Sequence, residues 1–223
     1  MKDYQKNFLT LALEANALKF GEFTLKSGRK SPYFFNASAL IEHGSLDKLG
    51  EILAAKVKDS NLEFDMIFGP AYKGIFLGTI LATKLSKLGN MPICFNRKEV
   101  KDHGEGGSLI GALPKGNVLI IDDVISSGLA IREALSFLRN YDVNIAGALV
   151  TLDRQEQGQN SKLMASSELI DEGLDILSII SLDNLLDADE IIDGNVLESI
   201  RNYRDKYRLS LIHISEPTRQ EVI

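Results

Sequence analysis

The chain has 223 residues, of which 44% are hydrophobic and 25% charged, enough to enclose one large core. Its formal net charge of -6 excludes the broad basic surface that nucleic acid or an anionic membrane rewards, so any anion site has to be local. The single cysteine, Cys94, lies among Met91, Pro92, Ile93 and Phe95 as a buried strand thiol would. No leader pattern opens the chain, and no apolar run approaches the roughly 20 residues of a bilayer span, so a cytoplasmic protein is expected.

In chain order, Phe8, Leu11, Ala12, Ala15 and Leu18 share one face of a helix predicted over 3–19, with Gly21 as its stop. Ser45 stands as an N-cap before Leu46, Leu49, Ile52, Leu53 and Val57, the apolar face of a second helix. The period then changes. Short apolar runs at 64–68, 92–95, 118–121, 146–152 and 174–180 predict buried strands. Helical stretches at 74–88 (closed by Gly89), 129–139 and 161–171 alternate with them, and Val196, Ile200, Tyr203 and Tyr207 mark a final helix. Parallel strands need crossover helices, so the alternation predicts an α/β fold with a mostly parallel central sheet flanked by helices. Ligands of such sheets bind beyond the carboxyl ends of the strands. No repeat or low-complexity linker divides residues 1–207.

One run carries the strongest chemical signal. The apolar strand at 118–121 ends in Asp122-Asp123, followed by Val124, Ile125, Ser126, Ser127 and Gly128 and by a helix opening with Leu129 and Ala130. Backbone N–H groups at a helix start, with two hydroxyls beside them, can cradle a phosphate, and the helix dipole favours the anion. The paired carboxylates suit ribose hydroxyls or a hydrated Mg²⁺. By themselves, Asp123 would be a solvated turn residue and Ser126 an N-cap. A second run, 96–111, combines Arg97, Lys98, Lys101 and His103 with several glycines, the composition of a loop able to close over a polyanion or of a solvated surface hairpin. A third, 23–36, sets Lys26 before the aromatic cluster Tyr33, Phe34 and Phe35, where a phenylalanine can lie on a flat ring or pack in the core.

The Asp-Asp strand end with its hydroxyl-rich glycine turn resembles the phosphoribosyl diphosphate signature of the type I phosphoribosyltransferases. Arg97-Lys98-Glu99 and Lys101-Asp102-His103-Gly104-Glu105-Gly106-Gly107 resemble the catalytic loop of the orotate phosphoribosyltransferases, and Lys26-Ser27-Gly28-Arg29-Lys30-Ser31-Pro32-Tyr33-Phe34 resembles their N-terminal segment. Tyr72-Lys73-Gly74 is similar to the family's diphosphate-binding turn, and Arg154 to its orotate-contacting arginine. The resemblance covers residues 2–207 and implies the type I phosphoribosyltransferase fold with a small N-terminal hood. Two positions depart from it: Ser126 stands where threonine is usual, and Leu129 stands where the family has a second threonine.

The resemblance implies transfer of the phosphoribosyl group of 5-phospho-α-D-ribose 1-diphosphate to orotate, giving orotidine 5′-phosphate and diphosphate in pyrimidine biosynthesis. Lys101, His103, Asp122 and Asp123 would be catalytic. The diphosphate substrate would meet Lys26, Tyr72, Lys73, Arg97, Lys98, Lys101, His103, Asp122 and Asp123 and the run Val124, Ile125, Ser126, Ser127, Gly128, Leu129 and Ala130. Orotate would meet Phe34, Phe35, Ser126 and Arg154. Mg²⁺ would be held mainly through substrate, with Asp122 or Asp123 reaching it through water. The family's mobile loop serves the neighbouring subunit, which implies a homodimer with shared sites. Transfer to another nucleobase and non-catalytic binding of phosphoribosyl diphosphate by a regulator are the competing readings. The N-terminal segment argues against the first, and the cationic loop without a helix-turn-helix region against the second. A dinucleotide-binding oxidoreductase is the weakest alternative, because no Gly-x-Gly-x-x-Gly opens a helix after a strand. Residues 208–223 resemble the translation of a sequencing adapter and are set apart from the expected domain.

Overall fold

A computed structural model describes residues 1–25, 28–87, 89–101, 107–158 and 163–207; the side chains of residues 100, 101 and 107 are not described. Helix α1 (Asp3–Glu14) is shorter than its apolar pattern suggests. Asn16 turns into the left-handed region at φ 53, which ends the helix, and Leu18 becomes the first residue of a strand. Leu18 is buried as a strand residue, at a position that also falls on the helical spacing of Phe8, Leu11 and Ala15. That strand, β1 (Leu18–Thr24), pairs antiparallel with β2 (Lys30–Phe35) in a separate two-stranded hood.

The short helix α2 (Ser38–His43) leads to α3 (Leu46–Ser60), with Ser45 at its N-cap. The Ser45 hydroxyl does not cap the helix; it lies 2.9 Å from Nδ1 of His43. Strand β3 (Met66–Phe68), helix α4 (Lys73–Leu85) and strand β4 (Ile93–Lys101) follow, and α4 stops at Ser86, before Gly89. The charged glycine run is not a bare loop: β4 pairs antiparallel with β5 (Gly107–Gly111), so both arms are sheet and only 102–106 lie outside the description. Strand β6 (Gly116–Ile125), helix α5 (Leu129–Leu138), strand β7 (Val143–Asp153), helix α6 (Ala165–Asp171) and strand β8 (Ile176–Ser181) complete the alternation. Helices α7 (Leu182–Leu186) and α8 (Gly194–Tyr207) are the last described elements.

The sheet order is β5-β4-β3-β6-β7-β8, parallel except for β5 at one edge. Side chains alternate across its plane, so each central strand feeds two cores. Ile67, Leu119, Ile121, Leu149 and Ile179 face α1, α3 and α4. Met66, Phe68, Val118, Ile120, Ala148 and Val150 face α5 and α6. Each large apolar side chain so enclosed contributes about 1.5–3 kcal/mol. Both cores hold the carboxyl ends of β3, β4, β6 and β7 in one row.

Candidate active site

The row begins with the turn after β3. Gly69 N–H donates to the Cys94 carbonyl at 3.0 Å, and Ala71 N–H donates to Oδ1 of Asn96 at 2.9 Å, which ties the turn to β4. A side chain on Gly69 would collide with the Gly74 carbonyl, and one on Gly74 with the Ile121 carbonyl, so only glycines let this turn lie flat against β6. The Ala71–Tyr72 peptide is cis, and Lys73 is the first residue of α4. Its ammonium reaches Oδ1 of Asn36 at 3.1 Å and Oδ2 of Asp123 at 3.7 Å. One lysine thus joins the hood, the turn and the acidic strand end.

Asp122 and Asp123 stand near the end of β6, where Asp122 is 7% exposed. The Asp123 N–H donates to Oδ1 of Asp122 at 2.9 Å, and the Thr151 hydroxyl donates to the Asp123 carbonyl at 2.5 Å. Burial, and then the charge on Asp123, push the Asp122 carboxyl up to about 7. Burial also raises Asp123, against the pull of Lys73. After β6, Ser126 is exposed and Ser127 half-buried, and Gly128 turns at φ 78 as the N-cap of α5. The first helical residues, Leu129 and Ala130, are exposed. Their amide groups precede the first intrahelical bonds and point out of the helix start.

The cations of the hairpin lie beside the turn. Lys98 Nζ is 4.9 Å from the centroid of the Tyr72 ring, which is 66% exposed. Arg97 is half-buried, with its Nε unpartnered among the described residues. Lys101 ends β4, its side chain outside the description, and Lys26 and His103 are outside it altogether.

The aromatic pair is split by the strand. Phe34 is 41% exposed and lies 5.5 Å from Phe23 by ring centroids. Phe35 is 8% exposed and packs against Phe8 at 6.2 Å. Neighbouring strand residues point to opposite faces, so the expectation that both meet one ligand ring is corrected: Phe35 is a core residue. Arg154 is buried as well. It is 5% exposed, bonded to Glu156, Ser31 and Tyr203, with its guanidinium 4.2 Å from the Tyr33 centroid.

Sequence reasoning missed Asn36, Asn96, Ser31, Glu156 and Tyr203. Asn36 ended the aromatic run and Glu156 followed Arg154 by two, but neither position marks a residue as a partner until the fold brings its neighbour near. A cleft of about 720 Å³ between the hood and α8, lined by Phe20, Lys30, Pro32, Val196 and Tyr207 among others, does not include the aspartates. Among the described residues no group of three or more His, Cys, Asp or Glu forms a metal cage. Two carboxyls at a strand end fit instead a hydrated Mg²⁺ held largely by substrate oxygens.

A family model described as a phosphoribosyl transferase domain matches residues 37–174. The orotate phosphoribosyltransferase of Marinobacter nauticus is 49% identical over 212 residues, covering 93% of this chain and 99% of the relative. That of Vibrio cholerae is 46% identical over 211 residues, with the same coverage. The crystal structure of orotate phosphoribosyltransferase from Francisella tularensis superimposes with a TM-score of 0.77 at 36% identity, covering 90% of this chain and 98% of that one.

Proposed function

The chain belongs to the orotate phosphoribosyltransferase family, and we propose that it performs the transfer with the side chains gathered at the ends of β3, β4, β6 and β7. The enzyme joins orotate to the phosphoribosyl group of 5-phospho-α-D-ribose 1-diphosphate in pyrimidine biosynthesis and releases diphosphate. The observation that carries the assignment is Lys73, which donates to Asn36 and stands 3.7 Å from Asp123, next to the buried Asp122 and five residues before the helix N-cap Gly128.

Breaking the anomeric bond leaves positive charge on the ribose ring and negative charge on the departing oxygen, and a catalyst has to meet both. Asp122 and Asp123 hold the ribose hydroxyls and lie next to the developing cation. Ser126, Ser127 and the amides from Gly128 to Ala130 receive the 5-phosphate, with Val124 and Ile125 shaping the approach. Lys73, Tyr72, Arg97 and Lys98 surround the diphosphate, joined by Lys101 at the end of β4 and by Lys26 and His103, which lie outside the described residues. Mg²⁺, held by substrate and reached through water by Asp122 or Asp123, would supply charge neutralisation on the diphosphate. Orotate lies on Phe34, with Arg154 and Ser126 at its polar edge.

The hairpin loop serves the partner's site in a homodimer; its likeness to loops that do so supports this. The domain spans residues 1–207, as the coverage of the curated relatives supports, and truncation after Tyr207 should leave activity and melting temperature unchanged. Among the described residues no helix is long and apolar enough to cross a membrane. Cytoplasmic residence fits Cys94, a buried free thiol that burial pushes up to about 12.

An absorbance assay of orotate tests the whole reading. Orotate should disappear only when phosphoribosyl diphosphate and Mg²⁺ are both added, with adenine and uracil inert as acceptors. Consumption of another base, or none of orotate, would refute it.

A further inference from the structure

Behind Arg154 lies a buried hub that the reaction scheme above does not use. The Glu156 side chain is 3% exposed. Its Oε1 accepts from Nε of Arg154 at 2.6 Å and from the Tyr203 hydroxyl at 2.5 Å, and its Oε2 accepts from Nη1 of Arg29 at 2.9 Å. Three separate parts of the fold therefore meet on one carboxylate: the end of β7, helix α8 and the hood. Nη2 of Arg154 donates to Ser31 on β2 at 3.1 Å and to the Tyr203 hydroxyl at 3.2 Å. Burial and the bond to Glu156 push the Tyr203 hydroxyl up to about 12, so it remains a proton donor at neutral pH.

The backbone is bent to make this meeting possible. Gln155 lies between the two partners at φ 51, a left-handed conformation rare for a residue with a side chain. It is held there at both ends of its amide: Oε1 accepts from the Asp183 N–H at 2.8 Å, and Nε2 donates to Oδ2 of Asp183 at 3.0 Å. Extended strand would keep i and i+2 in line along one face; the turn at Gln155 instead brings Glu156 back against the Arg154 fork. A conformation this costly persists only where its surroundings over-determine it.

Glu156 thus holds two guanidinium groups, those of Arg154 and Arg29, on one carboxylate. The Nε and Nη2 edge of Arg154 is committed to protein, and Nη1 takes no bond among the described residues. We infer that Glu156 is a positioning residue for orotate: it locks one edge of the Arg154 guanidinium so that Nη1 faces the carboxylate-bearing pyrimidine. The inference rests on the reading of Arg154 as the orotate-contacting residue. Glu156 does not itself touch substrate, so it should govern how well orotate binds and leave phosphoribosyl diphosphate alone.

Steady-state constants for both substrates test it. Glu156→Ala should raise the orotate KM roughly tenfold, the worth of one misplaced charged hydrogen bond, with the KM for phosphoribosyl diphosphate within about twofold. Glu156→Gln keeps an acceptor for Nε and the Tyr203 hydroxyl, and should restore the orotate KM to within about threefold of wild type. Adding Glu156→Ala to Arg154→Ala should raise the orotate KM no further than Arg154→Ala does, because the two act as one unit. If Arg154→Ala raises the orotate KM but Glu156→Ala leaves it unmoved, or moves both substrates equally, the positioning role is refuted and the reading of Arg154 stands. If Arg154→Ala itself leaves orotate binding intact, that reading falls and this inference with it. Removing one partner of a buried ion pair is strongly destabilising. Should Glu156→Ala not fold, Tyr203→Phe, which removes one contact from each partner, should show the same orotate-selective rise at roughly threefold, and equal shifts for both substrates would overturn the proposal.

Discussion

Lys73 Nζ stands 3.7 Å from Oδ2 of the half-buried Asp123, so the helix after β3 brings a single cation to this carboxyl and the buried Asp122 near the end of β6. Burial, and then the neighbouring charge of Asp123, push the Asp122 carboxyl up to about 7 from the ordinary 3.8, and the single cation Lys73 offsets only a small part of this. An acid whose folded pKa is raised weakens the fold as pH rises: the cost is absent below the ordinary value, grows toward about 7 and is constant above it.

Asp122→Asn should accordingly melt at higher temperature than wild type at pH 8. The advantage should shrink as pH falls from about 7 towards the ordinary aspartate range. Activity should move the other way, falling roughly ten- to a hundredfold for the loss of a charged hydrogen bond to ribose. Melting curves across this range decide the matter, since a gap independent of pH would mean that Asp122 is ionised throughout.

The split of the aromatic pair predicts opposite phenotypes for neighbouring residues. Phe34→Ala should raise the orotate KM roughly tenfold, the worth of a stacked ring, at little cost in stability. Phe35→Ala should destabilise the fold by about 3–5 kcal/mol and leave the orotate KM near wild type. Thermal melts beside KM measurements separate the two, and an orotate effect confined to Phe35→Ala would reverse the assignment.

Much of this site was legible in the order of residues because its chemistry is local. The run from Val118 through Asp123 to Ala130 is strand, carboxyl pair and helix start in one segment, and pattern alone placed each part. The central strands were equally legible, being continuous apolar runs buried on both faces. What stayed hidden depends on contacts across long separations or on strand facing. Arg154 meets Ser31 and Tyr203 across 123 and 49 positions, so no local pattern reveals that it is buried. Phe34 and Phe35 differ only in which face of β2 they occupy, and that followed from the pairing of β1 with β2. The start of β4 was legible in the apolar run 92–95, but its continuation to Lys101 and the strand β5 were not, since charged and glycine residues disfavour strand and pairing at the sheet edge overrode them.

The proposed sharing of sites between subunits is tested by subunit exchange. Lys101→Ala removes a loop cation and Asp123→Ala a strand-end carboxyl, so each homodimer should be nearly inactive. Mixed dimers would hold one site with both residues intact, and equal mixing should recover roughly a quarter of wild-type activity. No recovery after verified exchange would confine each loop to its own subunit.

Leu129 is where the chain parts from the phosphate-loop pattern it otherwise resembles. It opens α5 and is 47% exposed, so it covers little core, and replacing it should cost little stability. Leu129→Thr sets a hydroxyl beside the helix start and should lower the KM for phosphoribosyl diphosphate, by roughly tenfold for one bond to a charged group. The orotate KM should not change, because the proposed orotate contacts are Phe34, Arg154 and Ser126 and do not include Leu129. Half-buried Ser127, two positions before it, is the alternative donor. If Leu129→Thr changes nothing while Ser127→Ala raises the KM for phosphoribosyl diphosphate, Ser127 already supplies the missing contact. If neither substitution moves that constant, the amides from Gly128 to Ala130 hold the phosphate by themselves, and the hydroxyls of this loop have no part in binding it.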